Sequence, residues 1–368
     1  METNKKRDVK LDIIRIFALL TVISVHFFLN SGFYNEIVSG KKMYIMCIFR
    51  SFFMICVPMF ITLTGYLLNK KELSKNYYKG IFKTLLIYFT CSIIYSIFTK
   101  FYLKEKMDII IFLENLLDYS GTRYSWYIEM YIGLFLIIPF LNIIFNNIKT
   151  KKEAKALLII LFISIGLPNI VNIFKLDSPK WWIQPSVTGD YIKILPSWWA
   201  DLYPIFYYFL GAYLKKYPIK INTIYNMIIL IIITILDGTF NFYRSNQTTY
   251  IGGSWNTYCS ASIMIITFLT FNLLLNTKVN SESKKINKVL KILSDACLGA
   301  YLLSCIFDKI IYSKLETLIP VVKDRFVYAP IIILAVFLGS IITSIIINLI
   351  YKLIQLLLES VQQKGKQV

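Results

Sequence analysis

The stretch Leu11-Asp-Ile-Ile-Arg15-Ile-Phe-Ala-Leu-Leu-Thr-Val-Ile-Ser-Val-His26-Phe-Phe-Leu-Asn30 is apolar along nearly its whole length, yet it carries an arginine and a histidine. About 20 such residues suffice for a helix to cross the hydrocarbon core of a bilayer. Arg15 and His26 stand eleven positions apart. At about 100° per residue that separation is about 1100°, three turns plus roughly 20°. Both side chains therefore project from one helix face, roughly 16 Å apart along the axis. Asp12 is placed at i−3 to pair with Arg15, and Asn30 lies one turn beyond His26. A polar stripe thus runs along an otherwise apolar helix. Ionisable groups inside a span are costly and point to function by default. Two readings of the stripe stand side by side. Arg15 snorkels to headgroups while His26 bonds a neighbouring helix. Alternatively His26, the single imidazole of the chain, is a proton-transfer group near neutral pH.

The rest of the chain repeats the apolar theme. Ten segments read as spans: Leu11–Asn30, Tyr44–Leu68, Gly80–Leu103, Trp126–Phe145, Ala156–Phe174, Leu202–Leu214, Thr223–Tyr243, Tyr258–Asn276, Leu293–Tyr312 and Val327–Leu357. The sixth is short and opens at a proline-bearing stretch. Ile109–Leu117 is apolar but too short to span, and is expected at the interface or packed on the bundle. Hydrophobic residues make up 57% of the 368 and charged residues only 17%, against roughly 25% charged in soluble domains. Mean hydropathy is +0.60. A soluble fold of this size has too little interior to hide that much apolar surface. Soluble globular, disordered, collagen-like and disulfide-scaffold classes are excluded. The expected fold is an all-α polytopic membrane bundle of about ten transmembrane helices. It forms one integral-membrane domain over 1–357 with a short tail at 358–368.

Net charge is +19, and the basic residues fall in short clusters between spans, as topology and anionic headgroups require. Nucleic acid is therefore not the expected partner. With the N-terminus inside, the inner segments and the tail hold 24 of the 40 Lys and Arg. This bias places both termini in the cytoplasm. No cleavable signal peptide is read, because the apolar run after Lys10 is long and lacks a small-residue cleavage site. The six cysteines lie in or beside apolar stretches without a CxxC pair and read as small buried hydrophobes, so no metal site is expected. One outer loop gathers Trp181, Trp182, Pro185, Pro196, Trp198 and Trp199, either an interfacial aromatic belt or a stacking platform for a sugar.

Several segments, taken in order, resemble the integral-membrane acyltransferase 3 family. Arg15-x10-His26 resembles its R-x10-H signature. Val57-Pro-Met-Phe-Ile-Thr-Leu-Thr-Gly-Tyr-Leu-Leu68 resembles its VPxFFxxSGYLL segment. Tyr124-Ser-Trp-Tyr127, with Gly133 and Pro139, resembles its WY/F…GLYL…P stretch, and Phe209-Leu-Gly-Ala-Tyr-Leu214 resembles FxxGYxL. The resemblance covers most of the chain. It departs late, where many members carry a histidine in an IYLxH-like segment and this chain has Ser304 after Ala300-Tyr-Leu-Leu303.

The resemblance implies a membrane-bound O-acetyltransferase of the bacterial plasma membrane. Such an enzyme moves acetyl from cytosolic acetyl-CoA to a hydroxyl of a surface or lipid-linked saccharide, with no permanently bound cofactor. It implies His26 as the catalytic histidine, either deprotonating the acceptor or carrying the acyl group. Arg15 would hold the donor or stabilise developing charge. Lys79 and Lys83 stand where the family has an RxxxR pair, and their i,i+4 spacing suits CoA phosphates. Depth in the expected topology adds Glu129 as an orienting carboxylate for His26. It also adds Arg50, Asp201, Asp237 and Asn241, which with Trp126 and Tyr127 of the resembling segment make up the expected acceptor pocket. Donor entrance and acceptor pocket would then be joined along the first helix. The competing class is a transporter or flippase of an amphipathic glycolipid, which shares the hydropathy but does not need R-x10-H.

Overall fold

A computed structural model describes residues 8–106, 108–172, 175, 192–279 and 283–365. Trp181, Trp182 and Pro185 of the aromatic loop lie outside the described residues, as do Phe174 at the end of the expected fifth span and residues 366–368 of the tail. The described residues form an all-α bundle. The principal helices are α1 Val9–Asn30, α2 Gly40–Phe53, α3 Cys56–Leu68, α4 Ile81–Phe101, α5 Ile109–Leu117 and α6 Trp126–Asn146. They continue with α7 Lys151–Leu161, α8 Tyr203–Lys216, α9 Thr223–Arg244, α10 Ala261–Asn276, α11 Lys284–Leu318 and α12 Ala329–Gly365. Among the described residues eight helical segments are long and apolar enough to cross a membrane. The sixth and eighth expected spans are α8 and α10, shorter helices of 14 and 16 residues. The chain is thus a polytopic helical bundle.

Local chemistry explains where the helices begin and break. The Asp8 side chain accepts from the Lys10 amide at 3.0 Å and caps α1, satisfying a donor that the helix start would leave orphaned. Thr150 and Glu153 form a capping box, so α7 starts at Lys151, before the expected Ala156. Beyond Leu161, α7 widens into a π-helical turn over Phe162–Gly166. The expected second span is broken: α2 stops at Phe53 and α3 starts at Cys56. Pro58 lies in the first turn of α3, where a missing N–H costs nothing, whereas a continuous helix would set its ring against the Met54 carbonyl. The ninth expected span is the middle of a 35-residue helix, α11. None of the residues of α5 is buried, in keeping with a short helix on the outside of the bundle.

Helix α1 is the axis of the fold and packs against α2, α3, α10, α11 and α12. Its polar stripe is therefore turned into protein, not lipid. Two of the motif segments meet each other, because α3 crosses α8 with backbones in near contact. A side chain added at Gly65 would overlap the Tyr208 carbonyl, and one at Gly211 the Thr62 carbonyl. Small residues permit such close approach where apolar burial gives helices no preference for each other over lipid. The segment between α1 and α2 pairs with the segment after α9: the Val38 amide donates to Thr248 O and the Gln247 amide to Val38 O. These two strips form a roof at the His26 end of the bundle.

Candidate active site

His26 lies near the end of α1 with only 8% of its surface exposed. Its ring stacks on Tyr124, with centroids 3.7 Å apart and planes at 26°. Nδ1 faces the Asp308 carboxylate, 4.0 Å from Oδ2, and is enclosed without a hydrogen-bond partner. The other ring nitrogen, Nε2, is left for the cavity that His26 lines. The Tyr124 hydroxyl donates to Asp308 Oδ2 at 2.7 Å. Burial, and after it the Asp308 carboxylate, hold the Tyr124 phenol above its ordinary pKa, so Tyr124 stays a neutral donor. Asn30 donates to the His26 carbonyl at 2.9 Å and contacts the Tyr124 hydroxyl at 3.0 Å. Its own Oδ1 accepts from Arg123 at 2.8 Å.

The turn carrying Tyr124 is held rigidly. The Ser125 hydroxyl donates to Thr122 O at 2.6 Å and accepts from the Thr122 amide at 3.0 Å. Tyr301 on α11 donates its hydroxyl to the Tyr124 carbonyl. Tyr124, itself in the cavity wall, thus holds the histidine by stacking, with Tyr301 bound to its carbonyl and Asp308 to its hydroxyl. Ser304 is buried and donates to Tyr301 O at 2.8 Å. It belongs to the packing of α11 and leaves His26 as the site's imidazole.

The cavity at His26 has a volume of about 420 Å³, and Tyr34, Arg50, Arg123, Trp126 and Tyr258 are in its wall. Arg50, in the last turn of α2, donates from Nε to the Tyr34 hydroxyl at 3.1 Å and from Nη1 to Asn256 O at 3.0 Å. Its guanidinium also lies 5.0 Å from the Tyr250 ring centre. Trp126 stacks on Tyr258, with centroids 5.9 Å apart. Asp237 and Asn241 stand behind this wall. Asn241 donates to Asp237 Oδ2 at 3.2 Å and accepts from Asn256 at 2.9 Å. They brace the residue that holds Arg50 and do not line the cavity themselves.

Two further cavities continue the first along α1. A narrow one of about 150 Å³ shares Val22, Val57 and Tyr301 with the His26 cavity and reaches Arg15. Its wall also contains Phe60, Tyr127, Tyr131 and Cys297. The next, of about 770 Å³, shares Arg15 and holds Asp8, Asp12, Lys70, Lys215 and Asp295. Arg15 sits at their junction, donating to Ser294 Oγ at 2.6 Å and lying 3.8 Å from Asp12. His26 and Arg15 therefore stand at opposite ends of one series of cavities, as their shared helix face requires.

Several expected placements are corrected. Glu129 is exposed on α6, and the carboxylate beside His26 is Asp308. Tyr127, next to Trp126 in sequence, points into the narrow cavity, because neighbours on a helix differ by about 100°. Asp201 is exposed in a 3₁₀ turn over Ala200–Leu202 and lines none of these three cavities. Trp198 and Trp199 are exposed and also lie outside them. Lys79 and Lys83 are exposed and line none of the three, and the lysines at the Arg15 end are Lys70 and Lys215. Asp308 carries a signal of its own in the sequence. It is a carboxylate inside the apolar segment Leu293–Tyr312, which by the rule applied to Arg15 and His26 marks a functional group. Tyr124 carries none beyond its place in the Tyr124–Tyr127 segment, and Arg123 none beyond adjoining it.

A family model described as an acyltransferase domain, that of the acyltransferase 3 family, matches residues 8–348, nearly the entire chain. No curated protein matches the chain, and no solved structure does.

Proposed function

The chain belongs to the acyltransferase 3 family, and from that membership and the site we propose that it is a membrane-bound O-acetyltransferase. It takes acetyl from acetyl-CoA and delivers it to a hydroxyl of a cell-surface or lipid-linked saccharide. The observation that carries this reading is the series of cavities along α1, with Arg15 at one junction and His26 at the far end. In this reading the Arg15 end faces the cytoplasm of a bacterial cell and the His26 end faces outward, in keeping with the basic bias of the inner segments.

The donor enters at the Arg15 end. Arg15, Lys70 and Lys215 supply cations for the CoA phosphates. The narrow passage, walled by apolar and tyrosyl side chains, accepts the thin pantetheine arm and excludes water from the thioester. The acceptor occupies the outer cavity, its sugar ring against Trp126 and Tyr258. Nε2 of His26 takes the proton of the acceptor hydroxyl while that oxygen attacks the acetyl carbonyl carbon. The tetrahedral intermediate collapses with cleavage of the C–S bond, and the CoA sulfur leaves with the proton returned by the imidazolium. Asp308 stabilises that imidazolium by its charge across the 4.0 Å to Nδ1, the electrostatic part of what the buried carboxylate of a hydrolase triad does. Tyr124 anchors Asp308 in turn.

The test is transfer of radiolabelled acetyl from acetyl-CoA to envelope carbohydrate in membranes bearing the native chain or His26→Ala. Label with the native chain and none with the variant is the expected result. Equal labelling would remove His26 from the centre of the reaction. Purified protein is also expected to hydrolyse acetyl-CoA slowly without acceptor, which a transporter or flippase would not do.

A further inference from the structure

The wall of the outer cavity is electrostatically one-sided. Its lining residues include Arg50, Arg123 and His26 but no carboxylate. Arg50 is only 6% exposed, and a guanidinium at such depth is costly unless paired. The hydrogen bonds it makes among the described residues go to neutral oxygens, the Tyr34 phenol and the Asn256 carbonyl. No carboxylate of the described residues lies within ion-pair distance of it: Asp237 attracts it through space from behind the wall and connects to it by hydrogen bonds only through Asn241 and Asn256. Arg123 likewise donates to a neutral oxygen, Asn30 Oδ1.

Arg50 is also immobilised. The Tyr34 and Tyr250 rings lie 5.9 Å and 5.0 Å from its guanidinium carbon, and the Asp237–Asn241–Asn256 chain fixes the carbonyl it binds. A planar, rigid guanidinium fork is the side chain best matched to the paired oxygens of a phosphate or carboxylate. The two guanidinium groups come from different parts of the wall, one from the end of α2 and one from the turn before α6. The stacked Trp126–Tyr258 pair offers a flat face for a sugar ring in the same cavity.

We infer that the acceptor is an anionic saccharide, whose phosphate or carboxylate oxyanion is held by Arg50 and Arg123 while its hydroxyl is presented to His26. This rests on the acyltransferase reading for the role of His26, but the anion site itself does not. Binding of the oxyanion would fix which hydroxyl reaches Nε2, and so would set the position acylated.

The experiment uses the purified full chain in lipid nanodiscs, with glucose, glucuronic acid and glucose 6-phosphate as radiolabelled probes in equilibrium binding. At least one anionic probe is expected to bind about tenfold or more tightly than glucose, the scale of one charge-assisted hydrogen-bonded contact. Preference for glucose 6-phosphate alone assigns the oxyanion as phosphate, and equal preference for both assigns oxyanions in general. Arg123→Gln, on the exposed guanidinium, should close most of that gap, and Arg50→Lys should reduce it because lysine lacks the fork. Equal binding of all three probes overturns the inference, and so does an undiminished gap in Arg123→Gln. The probes bind without acetyl-CoA, so hydrolysis of acetyl-CoA by the native chain is scored separately. Anion preference without hydrolysis would overturn the acyltransferase reading and leave the site standing. Hydrolysis without anion preference would do the reverse.

Discussion

Replacing Asp308 by asparagine removes one charge from the site while keeping its shape. The carboxylate oxygen lies 4.0 Å from His26 Nδ1. At that distance, with an effective dielectric constant near 20, a carboxylate and an imidazolium attract by about 4 kcal/mol. Each 1.36 kcal/mol of transition-state stabilisation is about a factor of ten in rate. The full attraction therefore corresponds to about a thousandfold. Part of it is lost because the same oxygen accepts from Tyr124 at 2.7 Å, so the expected fall in kcat is about 10²–10³-fold. Asp308 lines none of the cavities that hold the donor in the proposed reading. The KM for acetyl-CoA should therefore stay within about twofold, since an interaction made only in the transition state lowers kcat and leaves ground-state binding alone. The assay is acetyl transfer from labelled acetyl-CoA by purified protein in nanodiscs, with the melting temperature measured in parallel. Tyr124→Phe, which removes only the anchoring hydroxyl, should cost about tenfold. A fall in kcat of less than about threefold in Asp308→Asn, with the protein folded, would refute a role for Asp308 in the charge balance at His26.

Three further outcomes follow from the placement of side chains. Glu129→Gln should leave turnover within about twofold of native, as surface changes usually do. A loss of about tenfold would instead bring Glu129 to the histidine. Lys215→Ala should raise the KM for acetyl-CoA by about tenfold, the scale of one charge-assisted contact, while Lys79→Ala with Lys83→Ala should not. The reverse pattern would move the donor phosphates to the face carrying Lys79 and Lys83. Val22→Trp fills the junction of the outer and narrow cavities. It should abolish acetyl transfer while probe binding in the outer cavity persists, and full activity would show that the donor does not pass Val22.

The missed residues have a common character. Lys70 and Lys215 follow α3 and end α8, the two helices brought together by Gly65 and Gly211. Their convergence is a consequence of that crossing and leaves no trace in spacing. Lys79 and Lys83 have the right spacing for one face, but spacing says nothing about what the face meets, and here both are exposed. Depth in the membrane is as poor a guide for a related reason. Asp201, Glu129 and Asp237 are expected at the depth of His26, yet depth leaves free the direction in which a side chain points around its own helix.

Some of this protein is determined by its sequence alone. Length and hydropathy impose a helical membrane bundle, since only internally satisfied backbones survive in lipid. The 3.6-residue period places Arg15 and His26 on one face of α1. All of these are relations within a single segment, set by backbone geometry and by what each residue type costs in hydrocarbon. The tertiary structure decided which groups meet across segments. Asp308 stands 282 positions after His26, and Arg50, Arg123 and Asn256 come to one cavity from three separate stretches. The azimuth of each helix about its axis depends on where small residues let backbones approach, summed over every neighbour at once. That sum is a property of the packed bundle and of no one segment in it.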